Sequence, residues 1–99
     1  MKYELLISDD SEDDIESAYL WYETQKINLG FAFETKLEEG FLNIRKNPIA
    51  FQVRYDDIRI HFINQFPFGI HYYVDKHIVK VVAVLHTSRN PEKWYERNR

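Results

Sequence analysis

The feature that most constrains the fold of this chain is a change of hydrophobic period at Asn47-Pro48. Before it, apolar residues recur at helical spacing. Ile15, Ala18, Tyr19 and Tyr22 stand at i, i+3, i+4 and i+7, and Phe33, Leu37, Phe41 and Ile44 form a second stripe of the same kind. After it, the period is two. Ile58, Ile60 and Phe62 alternate with Arg59, His61 and Ile63, and Phe68, Ile70, Tyr72 and Val74 alternate with Gly69, His71, Tyr73 and Asp75. Helices and strands are therefore segregated along the chain, which marks an α+β fold.

Local signals set the element ends. Tyr3 to Ile7 reads as a short strand. Ser8 supplies N-cap chemistry, and the acids of the DDSEDD run suit the positive end of a helix. That helix should end between Gln25 and Asn28. A second begins at Gly30 and is stopped by Asn47-Pro48, because the residue before proline is pushed out of the helical region. Gly40 costs the second helix about 1 kcal/mol relative to alanine unless close packing needs it. Phe51 to Tyr55 reads as a strand and Asp56-Asp57 as a turn. Asn64 to Pro67 is a loop. The near-continuous apolar run Ile78 to Leu85 predicts a central strand. Pro91 opens a short C-terminal helix, its missing N–H harmless at the first helical position. The predicted architecture is an N-terminal strand, an α-helical hairpin packed on one face of an antiparallel β-sheet, and a short C-terminal helix, all in one domain over residues 1–99.

The 99 residues contain no cysteine, which removes disulfides, thiolate metal sites and cysteine nucleophiles and fits a reducing compartment. With no leader-like start and no apolar window near the roughly 20 residues of a membrane span, a cytoplasmic protein without membrane contact is expected. The net charge of −3 conceals an asymmetry. Residues 1–44 carry three Lys and eleven Asp/Glu, a net of −8, whereas residues 45–99 carry ten Lys/Arg and five Asp/Glu, a net of +5. A basic face can therefore exist on an acidic protein. A solvated acidic helix followed by an ordinary strand surface explains the same pattern.

If the helices cover the face that bears Ile58, Ile60 and Phe62, the opposite face shows Arg59 and His61, with His71 and Tyr73 from the next strand. His86, Arg89, Trp94, Tyr95 and Arg97 follow from the last strand and the tail. Cations, imidazoles and phenols on one face suit phosphate neutralisation, base stacking and proton transfer. Each also has a plainer role open to it: a solvated strand cation for Arg59, half-exposed strand positions for His61 and His71, a packing plug for Trp94. Four scattered His without paired spacing give no metal site, and no nucleotide-binding or nucleophile motif is present, so no cofactor is implied.

An ordered set of short pieces resembles the RelE/ParE superfamily of bacterial type II toxins. They are Asp13-Asp14-Ile15 with Ala18 and Trp21-Tyr22-Glu23, Leu29-Gly30 with Phe33, Ile44 with Asn47-Pro48, and Ile58-Arg59. After them come Phe66-Pro67-Phe68 with Ile70 and Tyr72, Ala83 to His86, and Ser88 to Pro91 with Trp94 and Arg97. The resemblance runs over nearly the whole chain and implies the fold described above. It implies a toxin held inactive by a cognate antitoxin. The target would be DNA gyrase if the chain is ParE-like, or mRNA in the ribosome if it is RelE-like. In the second case it implies a metal-independent nuclease whose catalytic residues would be Arg59, His61, Arg89 and Tyr95. His71, Tyr73, His86, Trp94 and Arg97 are candidate binding residues under either activity. A third possibility is a non-toxic protein-binding module of the same fold. The nuclease pattern tends to carry arginine where this chain has Gly69, and that departure favours the ParE-like reading.

Overall fold

The computed structural model describes residues 2–88. The order is β1 (Glu4–Ile7), α1 (Asp9–Gln25), α2 (Leu29–Lys46), a 3-10 turn (Pro48–Ala50), β2 (Val53–Tyr55), β3 (Ile58–Phe62), β4 (Phe68–Asp75) and β5 (Ile78–His86). The expected C-terminal helix lies outside the described residues.

Local chemistry accounts for the hairpin. The Ser8 hydroxyl accepts the Ser11 N–H at 3.1 Å, and Asp9, Asp10 and Glu12 fill the first turn of α1. Between the helices Asn28 adopts φ 71, a left-handed conformation that asparagine tolerates. The Glu23 carboxylate reaches across the turn and accepts the N–H groups of Asn28 and Gly30 at 3.2 and 2.9 Å, so a side chain of the first helix satisfies the free amides that open the second. Gly30 is the point of closest approach: a Cβ there would stand 2.7 Å from the Tyr19 carbonyl oxygen.

The strands form one sheet in the order β1-β5-β4-β3-β2. β2 to β5 pair antiparallel, as expected, but β1 joins β5 in parallel, so the sheet is mixed. The helical hairpin and the strands β2 to β4 all separate β1 from β5 in sequence, and a connection of that length leaves strand direction unconstrained by turn geometry. The hairpin packs on one face. Phe33, Leu37 and Ile44 meet Ile70, Tyr72, Val79, Val81 and Val84 there, and Tyr22, Phe33, Phe66 and Phe68 make an aromatic cluster with centroids 4.9 to 6.1 Å apart.

The other face holds a second apolar cluster of Tyr55, Ile58, Ile60, Val82, Ala83 and Leu85. This reverses the expected phase of β3. Arg59 pairs with Tyr72 and His61 with Ile70, so both lie on the helix side, whereas Ile58 and Ile60 lie away from it. Alternation reveals the period of a strand but not which set faces which layer, and a shift of one residue exchanges them all. The register shift at His71/Tyr72 places Val82 and Ala83 consecutively on the away face, as a bulge does.

Candidate functional site

The residues expected to share one free sheet face are divided by the sheet. Arg59 and His61 are on the helix side. His71 and Tyr73 are on the away face. His86 is exposed at the end of β5, paired with Phe68, two strands from β3. Arg89, Trp94, Tyr95 and Arg97 lie outside the described residues.

Arg59 is committed to its own fold. Its Nη1 donates to the carbonyls of Phe51 and Ile49 at 2.6 and 3.3 Å, and beside it the Tyr72 hydroxyl donates to the carbonyl of Pro48. Together they clasp the turn that carries the chain from α2 into the sheet. Tyr72 is fully buried, and burial pushes its hydroxyl up to about 12 in pKa, against the opposing pull of the Arg59 charge. A phenol held so firmly protonated is a permanent hydrogen-bond donor, which suits a structural clasp. His61 stacks on Phe51 with centroids 4.1 Å apart and sits beneath Gly40. Partial burial lowers its pKa, so the ring is neutral at neutral pH.

On the away face the Tyr55 hydroxyl and His71 Nδ1 are 2.9 Å apart, and His71 is 2% exposed. His71 is therefore part of the second core. Tyr73 packs at the margin of that cluster, with the Lys80 ammonium 5.9 Å from its ring centre.

His86 belongs to a groove of about 260 Å³ between α1 and the end of the sheet, lined by Asp14, Ser17, Ala18, Trp21, Phe68, Val84, Leu85 and His86. Its Nδ1 lies 2.7 Å from the Ser88 hydroxyl and accepts the Ser88 N–H at 3.0 Å, which orients the ring. The Asp14 carboxylate accepts the N–H of Val84 at 3.0 Å. Trp21, 61% exposed, forms one wall. Composition and motif reasoning passed over Asp14 and Trp21 as site residues. The available signal was their separation of seven positions, two helical turns, just outside the stripe of Ile15, Ala18, Tyr19 and Tyr22, which puts carboxylate and indole on one flank of α1. Among the described residues no three His, Asp or Glu side chains cluster as metal ligands do.

With a helical hairpin on a five-stranded sheet and this groove at its end, comparison with known proteins is informative. The family model described as the ParE toxin of the type II toxin–antitoxin system, parDE, matches residues 5–91. The chain belongs to the ParE toxin family. Among solved structures it is similar to a chain described as the chromosomal ParDE TA system from P. aeruginosa. The TM-score is 0.77 at 11% identity, over 88% of this chain and 98% of that one. At that identity the likeness speaks for the fold. No curated protein sequence matches significantly. As a ParE-family toxin, the chain is one half of a two-component module whose other half, the antitoxin, is its partner. Among the described residues no helix is long and apolar enough to cross a membrane.

Proposed function

We propose that this ParE-family toxin arrests growth by binding a protein target, DNA gyrase, in the cytoplasm, and that residues 1–99 act as one domain without catalysing a reaction. The observation that carries this reading is the placement of Arg59 and His61. A sheet-based ribonuclease needs strand cations presented to a phosphate, where they stabilise the charge that develops on it. Here the Arg59 Nη1 donates to the carbonyls of Ile49 and Phe51, and His61 is stacked on Phe51 under the second helix. Gly69 supports the same reading. It stands where the nuclease pattern tends to have arginine, and the space a side chain would need is occupied by Ile60 and Phe62. The exposed surface is suited to protein contact: Trp21 and Phe68 line a groove with a carboxylate and an imidazole at its margins.

The test is induction of the toxin under tight control in a bacterial host, following incorporation of labelled thymidine and methionine over the first minutes. The expected result is that DNA synthesis stops first, with purified toxin inhibiting gyrase supercoiling in vitro and the antitoxin relieving both effects. Arrest of protein synthesis first, with new mRNA ends mapped in the ribosome, would overturn this reading in favour of the RelE-like activity. Absence of any growth effect would favour a non-toxic binding module.

A further inference from the structure

Among the described residues no strand covers the outer edge of β1. Its inner edge pairs with β5 in unbroken register from Glu4 opposite Ile78 to Ile7 opposite Val81, and the N–H groups of Glu4 and Ser8 donate to the carbonyls of His77 and Val81 at 2.9 and 3.1 Å. Alternation then turns the amides and carbonyls of Leu5 and Ile7 outward, where no strand of the sheet lies. The opposite edge, β2, is blunted in the usual ways: it is three residues long, and its pairing with β3 shifts register. β1 has no shift, and Leu6, on the face away from the helices, is 46% exposed.

The surface beside this edge is polarised. Near Leu5 a trough of about 250 Å³ runs between that residue and Glu38, Phe41, Leu42 and Arg45, and around Tyr3 the side chains of Lys2, Arg45 and Lys46 converge. Near Ile7 a second trough of about 380 Å³ is walled by Glu12, Asp13, Glu16 and Glu34. Lys2, Arg45 and Lys46 thus outnumber the carboxylates of Glu4 and Glu38 where β1 starts, whereas the charged groups in the trough where it ends are all carboxylates. None of Lys2, Lys46, Glu12, Asp13, Glu16 or Glu34 has an ion-pair partner among the described residues.

We propose that β1 is a self-association edge, at which two copies of this chain pair their first strands antiparallel about a two-fold axis through Leu6 and join their five-stranded sheets into one. Three observations converge on that occupant. Pairing about Leu6 sets Leu5 of each copy opposite Ile7 of the other, so the outward amides and carbonyls of both residues are satisfied reciprocally. It brings the two exposed Leu6 side chains face to face at the axis, a cross-strand contact that removes both from water. It also lays the basic end of each copy against the acidic end of the other. An isologous interface needs that self-complementarity, and a parallel pairing would oppose like charges.

The test is sedimentation velocity of the full chain across a range of concentration. A dimer that dissociates on dilution and with added salt is expected, because exposed charge pairs are screened. Lys2→Glu with Lys46→Glu makes both ends acidic, and Glu12→Lys with Asp13→Lys makes both ends more basic. Each double variant should self-associate at least tenfold more weakly while keeping the circular dichroism of the parent, since all four positions are exposed. Mixing the two variants should restore association as a heterodimer, because each end then meets its opposite. A chain that is monomeric at every concentration overturns the proposal, as do charge-reversed variants that dimerise like the parent. Protection of the Leu5 and Ile7 amides from hydrogen exchange only when the antitoxin is added would also overturn it, in favour of a partner's strand on this edge.

Discussion

The Tyr55 hydroxyl and the Nδ1 atom of His71 meet at 2.9 Å inside the apolar cluster on the sheet face turned away from the helices. This bond ties β2, the short edge strand, to β4 near the middle of the sheet, across β3. It also explains how a histidine is accommodated at 2% exposure among Ile58, Ile60 and Ala83. Removing the hydroxyl with Tyr55→Phe keeps the ring and deletes the bond. A loss of about 1–2 kcal/mol is expected, the usual cost when a buried polar atom loses its partner. For a chain of this size that corresponds to a fall in Tm of several degrees, roughly 4–8 °C per kcal/mol. A thermal melt checks it.

Arg59→Ala separates a clasp from a phosphate site. If the guanidinium serves mainly to hold the carbonyls of Ile49 and Phe51, its loss should cost about 1–2 kcal/mol, the range for charge-assisted bonds that are partly exposed. Amide exchange should rise locally, over residues 48–53. Toxicity should fall only as far as the folded fraction falls. Unchanged stability with abolished toxicity would instead assign Arg59 to substrate.

Much of this architecture is legible without coordinates, and the reason is locality. Ser8 before an acidic run, and Asn47-Pro48 after an apolar stripe, act on the residues beside them, and both helices end where those signals stand. The extents of β4 and β5 follow from alternation and apolar continuity in the same way. The phase of β3 was not legible, since Ile58 and Ile60 are as apolar as any helix-facing set and a second cluster on the away face accepts them. The bulge that puts Val82 beside Ala83 depends on packing between strands, and so does the parallel seating of β1. The candidate site suffered for the same reason. A one-residue phase error moved Arg59 and His61 to the wrong side of the sheet, and the part of Arg59 is visible only once the Pro48–Phe51 segment folds back over it.

Gly30→Ala runs against helix propensity. Alanine inside a helix is worth about 1 kcal/mol over glycine. Here the added carbon would meet the Tyr19 carbonyl oxygen at 2.7 Å and the Tyr19 ring at 2.9 Å, so the two helices must part. Overpacking of this kind costs about 1–3 kcal/mol, and because one of the atoms is backbone a net loss of stability is expected by denaturant titration.

His61 should make the chain acid-sensitive. Partial burial lowers its pKa below the ordinary histidine value of 6.5, so the unfolded chain takes up a proton at a pH where the folded chain does not. Stability from this group is therefore constant above about 6.5 and is lost as pH falls from there towards the lower folded value. His61→Gln should flatten the dependence of the denaturation midpoint on pH between 7 and 5 (about the range in which an unperturbed histidine titrates). An unchanged slope in the variant would show that the acid response comes from carboxylates alone.

Gly69→Arg asks whether the missing strand cation is all that keeps this fold from being a nuclease. Gly69 lies on β4 between Phe62 of β3 and Leu85 of β5. A Cβ built there falls 2.7 Å from Ile60 Cγ2 and 3.3 Å from the Phe62 ring, so an arginine must displace Ile60 from the away-face cluster before its guanidinium can reach solvent. The single variant should lose about 1–3 kcal/mol to overpacking. Pairing it with Ile60→Ala opens the space, and the two changes should be non-additive, the double variant losing less than the sum of the singles. Neither should cleave mRNA on ribosomes in a primer-extension assay, because Arg59 and His61 remain on the other face of the sheet and a single cation does not assemble a site around a phosphate. Cleavage by the double variant would mean that the catalytic groups are already in place and that Gly69 alone silences them.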